Sequence, residues 1–116
     1  MSAVYVSNLV INTGTTFAQT FTLEDSDSNS VLDLTGYSIQ STMKKHPASR
    51  KETCSFDASI LNATQGIIKV GLSSVSCRPL KGGRYVYDVL ITDGSGTVTR
   101  VVEGSVLVRA GVTTHL

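Results

Sequence analysis

Apolar and polar residues alternate along most of the chain with a period of two, the spacing of a strand that turns one face to a core and the other to water. Phe17, Phe21 and Leu23 share one face with Gln19, while Ala18, Thr20 and Thr22 take the other. Tyr37, Ile39, Ser41 and Met43 form a second set, Cys54, Phe56, Ala58 and Ile60 a third, and Ile68, Val70 and Leu72 a fourth. Arg84 to Thr92 is the clearest: Tyr85, Tyr87, Val89 and Ile91 face one way, Val86, Asp88 and Leu90 the other. With Asp88 as its sole interior charge, this segment is predicted to be a central strand buried on both faces. Thr97 to Glu103 returns with Val98 and Val102 flanking Arg100, Gly104 permits a kink or bulge, and Ser105 to Arg109 carries Val106 and Val108. The first run, Val4 to Ile11, is apolar and β-branched and stops at the turn cluster Asn12–Thr15.

The segments between these runs carry turn chemistry. Glu24–Ser30 is a polar connection, and Val31–Gly36 is predicted to be an irregular arm whose leucines dip into the core. Lys44–Glu52 is polar with Pro47 inside it, which predicts a loop or a break at a sheet edge. Leu61–Gly66 and Lys81–Gly83 are breaks, and one helical turn is expected before Pro79. Asp93–Gly96 predicts a hairpin, read as a two-residue turn at Gly94–Ser95. The pattern gives seven or eight strands at roughly ten-residue spacing and no helix of useful length. This is an all-β chain, a single antiparallel β-sandwich over residues 1–116.

Composition agrees. Valine and threonine, both stiff and branched at Cβ, occur 14 times each among 116 residues. Ten basic residues against nine acidic ones give a net charge of +1, which excludes a strongly basic nucleic-acid binder and an acidic tail protein. The opening Met-Ser-Ala-Val-Tyr-Val lacks the basic and long apolar regions of a secretory signal, and no apolar run reaches the ~20 residues of a membrane helix. Neither nucleic acid nor membrane is therefore expected as a partner. Cys54 and Cys77 are too few and too far apart for a zinc site. Each reads as a buried thiol, with a disulfide between them left open.

Candidate chemistry is sparse. The histidines are His46, in the polar loop, and His115, next to last. Neither has a local partner for Cys–His catalysis, and no nucleophile elbow, phosphate loop or dinucleotide fingerprint is present. No catalytic residue, cofactor or metal is expected. Asp25–Asn29 resembles the start of a calcium loop, but Ser30 stands where such a loop needs glycine and Gly36 where it needs glutamate, so a solvated turn is the better reading. Asn62-Ala63-Thr64 fits the glycosylation pattern. Lys44, Lys45, Arg50 and Lys51 form a basic patch without interleaved aromatics, read as a solubilising loop or edge guard and as a candidate partner contact. Asp88 and Arg100 lie across the hairpin. A two-residue turn sets Asp88 opposite Val101 and leaves Arg100 on the other face, whereas a one-residue bulge at Ser95–Gly96 brings the two together as a structural pair.

Four segments carry a family likeness: Phe21–Asp25, Leu32-Asp33-Leu34-Thr35-Gly36-Tyr37, Gly83-Arg84-Tyr85-Val86-Tyr87-Asp88-Val89, and Gly94–Gly104 with its Ser-Gly-Thr-Val-Thr-Arg core. Together they resemble the immunoglobulin-like β-sandwich at the N-terminus of upper-baseplate and fibre-attachment proteins of tailed bacteriophages, from about residue 8 to residue 112. The resemblance implies a non-enzymatic virion structural protein: a tail, baseplate or fibre-adaptor component, multi-copy or homo-oligomeric. It would be held by other virion proteins and assembled in the cytoplasm of the bacterial host. In that family the domain often precedes a long receptor-binding region. This chain stops at Leu116, which favours an adaptor, a baseplate or tail component, or a decoration protein over direct receptor binding. A capsid decoration (cement) protein is the alternative, and a carbohydrate- or receptor-binding module a more distant one.

The apolar start adds a candidate contact. Residues 1–11, with Val4, Tyr5 and Val6 foremost, either complete the chain's own sheet or pair with a neighbour's edge as an assembly strand. On the second reading, deletion of residues 1–7 harms assembly more than folding.

Overall fold

The alternating runs form eleven strand segments: β1 (Tyr5–Val6), β2 (Leu9–Asn12), β3 (Phe17–Thr22), β4 (Glu24–Asp25), β5 (Ser30–Val31), β6 (Ser38–Lys44), β7 (Cys54–Ser55), β8 (Asp57–Asn62), β9 (Ile67–Leu72), β10 (Gly83–Thr92) and β11 (Val98–Arg109). The computed structural model describes residues 5–25, 30–48, 54–73 and 80–110, with Tyr5, Asp25 and Ser30 as backbone. The helical turn expected before Pro79 and the Ser26–Asn29 part of the calcium-like loop lie outside that set, as do Val4, Arg50, Lys51, Cys77 and His115.

The strands make two layers. The larger sheet runs β1-β11-β10-β6-β7, with β2 also on β11, and the smaller runs β3-β9-β8. A short hairpin, β4 with β5, closes the polar connection. The fold is an all-β sandwich. Its pairings are antiparallel except at one edge, where β1 and β2 run parallel to β11 in a single register, Tyr5 beside Val102 and Leu9 beside Val106. In immunoglobulin terms the smaller sheet holds the B, E and D strands. The larger holds G, F and C, with the N-terminal strand added to it.

The two inner faces supply the core. Ile11, Leu23, Leu34, Met43, Ile68, Val70, Val89, Val101, Val102 and Val106 are wholly buried. Leu34 comes from the irregular arm, fastened by its N–H on the Ala63 carbonyl at 2.8 Å. Phe56 is the corner where the chain leaves the larger sheet after β7 and enters the smaller as β8. Its N–H donates to Ser41 at 3.0 Å and its ring packs edge-on against Tyr87.

The β10–β11 ladder departs from the sequence reading twice. The Asp93 N–H donates to the Thr97 carbonyl and the Gly96 N–H to the Asp93 carbonyl, with Gly96 at φ 91°. The loop is thus three residues long, a tight turn closed by a left-handed glycine. Further along, the register shifts again: Leu90 pairs with Arg100 but Val89 with Val102. Val101 is the inserted residue, and its bulge lets the neighbours Val101 and Val102 both face the core. Alternation through Val98, Arg100 and Val102 therefore does not hold, and Val98 is exposed. β10 is central, as expected, but buried on one face only. Val86, Asp88 and Leu90 are half-buried on the outer surface of the sheet.

Two tyrosines pin the first half of β10. Tyr85 Oη donates to the Lys81 carbonyl at 2.8 Å, four residues upstream at the entry to β10, in the manner of a tyrosine corner. Tyr87 Oη crosses to the Ser7 carbonyl at 2.6 Å, in the gap between β1 and β2. Ser7 N–H donates to Glu103 at 2.9 Å, and the Asn8 side chain accepts from the Ser105 N–H at 3.1 Å. This crossing needs Gly104. A Cβ there would run into the Ser7 carbonyl, so the glycine expected to kink the strand serves close approach of a second backbone.

Two predictions follow from these contacts. Gly104→Ala is expected to cost at least about 2 kcal/mol through the forced overlap, whereas Gly94→Ala, which meets nothing within 4 Å, stays within about 0.5 kcal/mol. Urea midpoints at constant slope measure both. Burial pushes the Tyr87 phenol up to about 12. A phenol in the unfolded chain titrates near 10, so the contribution of Tyr87 is complete below about pH 10 and is lost as pH climbs toward 12. Stability followed from pH 9 to 12 should fall up to about 2 kcal/mol further in the natural chain than in Tyr87→Phe; parallel curves would contradict this.

Candidate functional site

The register of β6, β10 and β11 writes three rows across the outer face of the larger sheet. Gln40, Leu90 and Arg100 form one row, Thr42, Asp88 and Glu103 the next, and Lys44, Val86 and Ser105 the third. With Val6 at the far edge, all of these residues but Ser105 line a shallow open groove of about 560 Å³. The floor is apolar at Val86 and Leu90, and the walls are polar.

Charge in the groove is organised around Arg100. Asp88 and Glu103 stand directly opposite each other, a cross-strand placement that like charges disfavour. The guanidinium lies between them, 3.3 Å from Asp88 Oδ2 and 3.7 Å from Glu103 Oε2. The pair read from the sequence as a consequence of an extra turn residue is present, and the three-residue loop supplies that residue. The bulge at Val101 then adds Glu103 to the same row, which a count without that bulge cannot find. The hint was the Val101-Val102 doublet, which cannot be buried twice in a strand of strict alternation. Below Asp88, the Ser41 hydroxyl donates to the Asp88 carbonyl at 2.6 Å and keeps this buried polar side chain satisfied.

Of the basic patch, the two described lysines part company. Lys44 lies on the groove wall, whereas Lys45 places its Nζ 4.7 Å from the centre of the Tyr85 ring, at the end of the core. Alternation at the end of β6 sends these neighbours to opposite sides. His46 is exposed beside them. Cys54 is half-buried on β7, next to the core. Tyr5 and Val6 of the candidate assembly strand pair with β11 of their own chain, and Val6 is 75% exposed. Deleting residues 1–7 would thus remove the partner of Tyr87 and touch folding as well as any assembly.

Two carboxylates outside the groove build turns. Asp33 accepts from the Thr35 hydroxyl at 2.7 Å and N–H at 3.0 Å, which hold its carboxyl below the usual range. Asp93 accepts from the Ser95 hydroxyl at 2.7 Å and from the Thr97 and Ser95 N–H groups, with the same effect. Asn62 does likewise for the Thr64 hydroxyl and Gln65 N–H, so the glycosylation-like triplet is a turn of the β8–β9 loop. Among the described residues, no group of three or more His, Cys, Asp or Glu could hold a metal ion, and no helix is long and apolar enough to cross a membrane.

No family model and no curated protein sequence matches the chain. Among solved structures, the SrpA adhesin (R347E mutant) from Streptococcus sanguinis is similar at 15% identity and a TM-score of 0.49, over 95% of this chain and 57% of that one. A family 123 glycoside hydrolase from Clostridium perfringens is similar at 13% identity and a TM-score of 0.44, over 93% of this chain and 23% of that one. The chain thus spans little over half of the first and under a quarter of the second.

Arg100→Met is expected to destabilise the fold by about 0.5–1 kcal/mol at low salt, since the pair is solvent-exposed and two facing carboxylates lose the cation between them. In the Glu103→Gln background the same substitution should cost less, and about 1 M salt should shrink the difference. Equal costs in both backgrounds would show that Arg100 does not bridge.

Proposed function

We propose that the chain is a non-enzymatic structural protein of a tailed-bacteriophage virion. It is a tail, baseplate or fibre-adaptor component, held by protein–protein contacts and present in several copies in a particle assembled in the host cytoplasm. The observation that carries this reading is where the phage-like segments fall in the fold. Asp33 and Thr35 fasten the turn at Gly36, whose φ is 82°. Tyr85 ties the corner before β10, and Tyr87 holds the N-terminal crossing. Asp93 organises the loop to Gly96, and Gly104 admits Ser7. Each of these residues maintains the shape of a sandwich whose surfaces remain free to meet neighbours, which suits a part valued for rigidity. The outer groove, where Arg100, Asp88 and Glu103 pair with one another and Lys44 stands on the wall, offers a recognition surface.

Electron cryo-microscopy of the particle made by the phage that encodes this chain tests the reading. Density for the sandwich at a repeated site in the tail or baseplate is expected. Density on the head shell would make it a decoration protein, and absence of the chain from purified particles would refute the reading.

A further inference from the structure

We propose that the outer edge of β3 is a homotypic docking strand, which joins two copies of this chain through an antiparallel β3–β3 ladder centred on Thr20. The first observation is chemical. Residues 1–23 contain no Asp, Glu, Lys or Arg, and every charged side chain lies from Glu24 onward. These residues build β1, β2 and β3, so the strands at the edge of the larger sheet and at this edge of the smaller, β2 and β3 joined by the short Thr13–Thr16 turn, carry no charged side chain of their own.

The second observation is the geometry of the edge. Among the described residues β3 pairs with β9 alone. The Leu23 N–H donates to Gly66 at 2.8 Å, which fixes the phase of the ladder. Phe17, Gln19 and Phe21 exchange bonds with β9, so the N–H and C=O groups of Ala18, Thr20 and Thr22 point away from the sheet. The Gln19 side chain confirms the direction: its Nε2 reaches the outward Thr20 carbonyl at 3.2 Å.

Natural edges are blunted by charge, proline, brevity or a bulge. β8 carries Asp57 and a register break at Leu61, and β7 is two residues long. The edge at β1 and β2 is interrupted at Ser7–Asn8. β3 has six residues and none of these guards.

The strand is also complementary to itself. Antiparallel pairing about Thr20 sets Thr20 against Thr20 and Ala18 against Thr22 in bonded pairs, with no like charges opposed. On the core face it sets Gln19 beside Phe21 of the second copy, which covers a half-exposed ring. The two three-stranded sheets become one of six strands across a two-fold axis, an isologous contact that closes. This contact does not depend on the virion reading.

Sedimentation equilibrium from about 10 μM to about 1 mM, the range in which so small an interface should associate, tests the proposal. A monomer–dimer equilibrium is expected. Thr20→Lys should weaken it at least about tenfold, whereas Val98→Lys, an equal charge on the other sheet, should leave it unchanged. Should Thr20→Lys not fold, Ala18→Lys makes the same test at another exposed position. Amide exchange at Ala18, Thr20 and Thr22 should slow as concentration rises. A monomer throughout, a dimer indifferent to both lysines, or fast exchange at those amides would overturn the proposal. Protection found solely in the assembled particle would assign the edge to a different protein's strand and leave the virion reading intact. A solution dimer together with absence from particles would refute the virion reading alone.

Discussion

The pairing of β10 with β11 governs the rest of the molecule. Its register changes twice, once through the left-handed Gly96 and once through the bulge at Val101. The first change brings Arg100 onto the face of Asp88. The second brings Glu103 to the same row and turns Val101 and Val102 both inward. From there β11 runs on with Val106 and Val108 in the core, and its free edge receives β1 and β2. Without the bulge, Glu103 and the residues after it would exchange core and solvent faces, since a one-residue slip inverts every side chain.

The N-terminal edge depends on that register in turn. Gly104 must lie beneath the Ser7 carbonyl, and Tyr87 must reach it from the neighbouring strand. Three residues far apart in sequence thus meet at one point, and the bond is made by a phenol 4% exposed. This explains why an apolar N-terminal run, unguarded by charge, lies on its own sheet.

Period-two alternation is enough to find β3, β6, β9 and β10 and to name the core faces of the first three, because each has one wet and one dry face. It was not enough where backbone geometry overrides side-chain pattern. The Val101 bulge was visible as a valine doublet but not as a position. The outer face of β10 reads as buried because Val86 and Leu90 are apolar, yet among the described residues no second layer covers it and both are half-exposed. Phe56 alternates smoothly with its neighbours, so the move from one sheet to the other left no mark. The parallel direction of β1 and β2 is a matter of topology, which side-chain period does not encode. Asp88 and Arg100 were legible as a pair because their separation across the hairpin is short. Glu103 was not, since its place follows from the bulge.

Backbone proton contacts measured by nuclear magnetic resonance read the doubly shifted register of β10 and β11 residue by residue. Cross-strand contacts should join Leu90 with Arg100 and Val89 with Val102, with Val101 left without a partner on β10. An unbroken series in one register, with Val89 opposite Val101 and Asp88 opposite Val102, would contradict it.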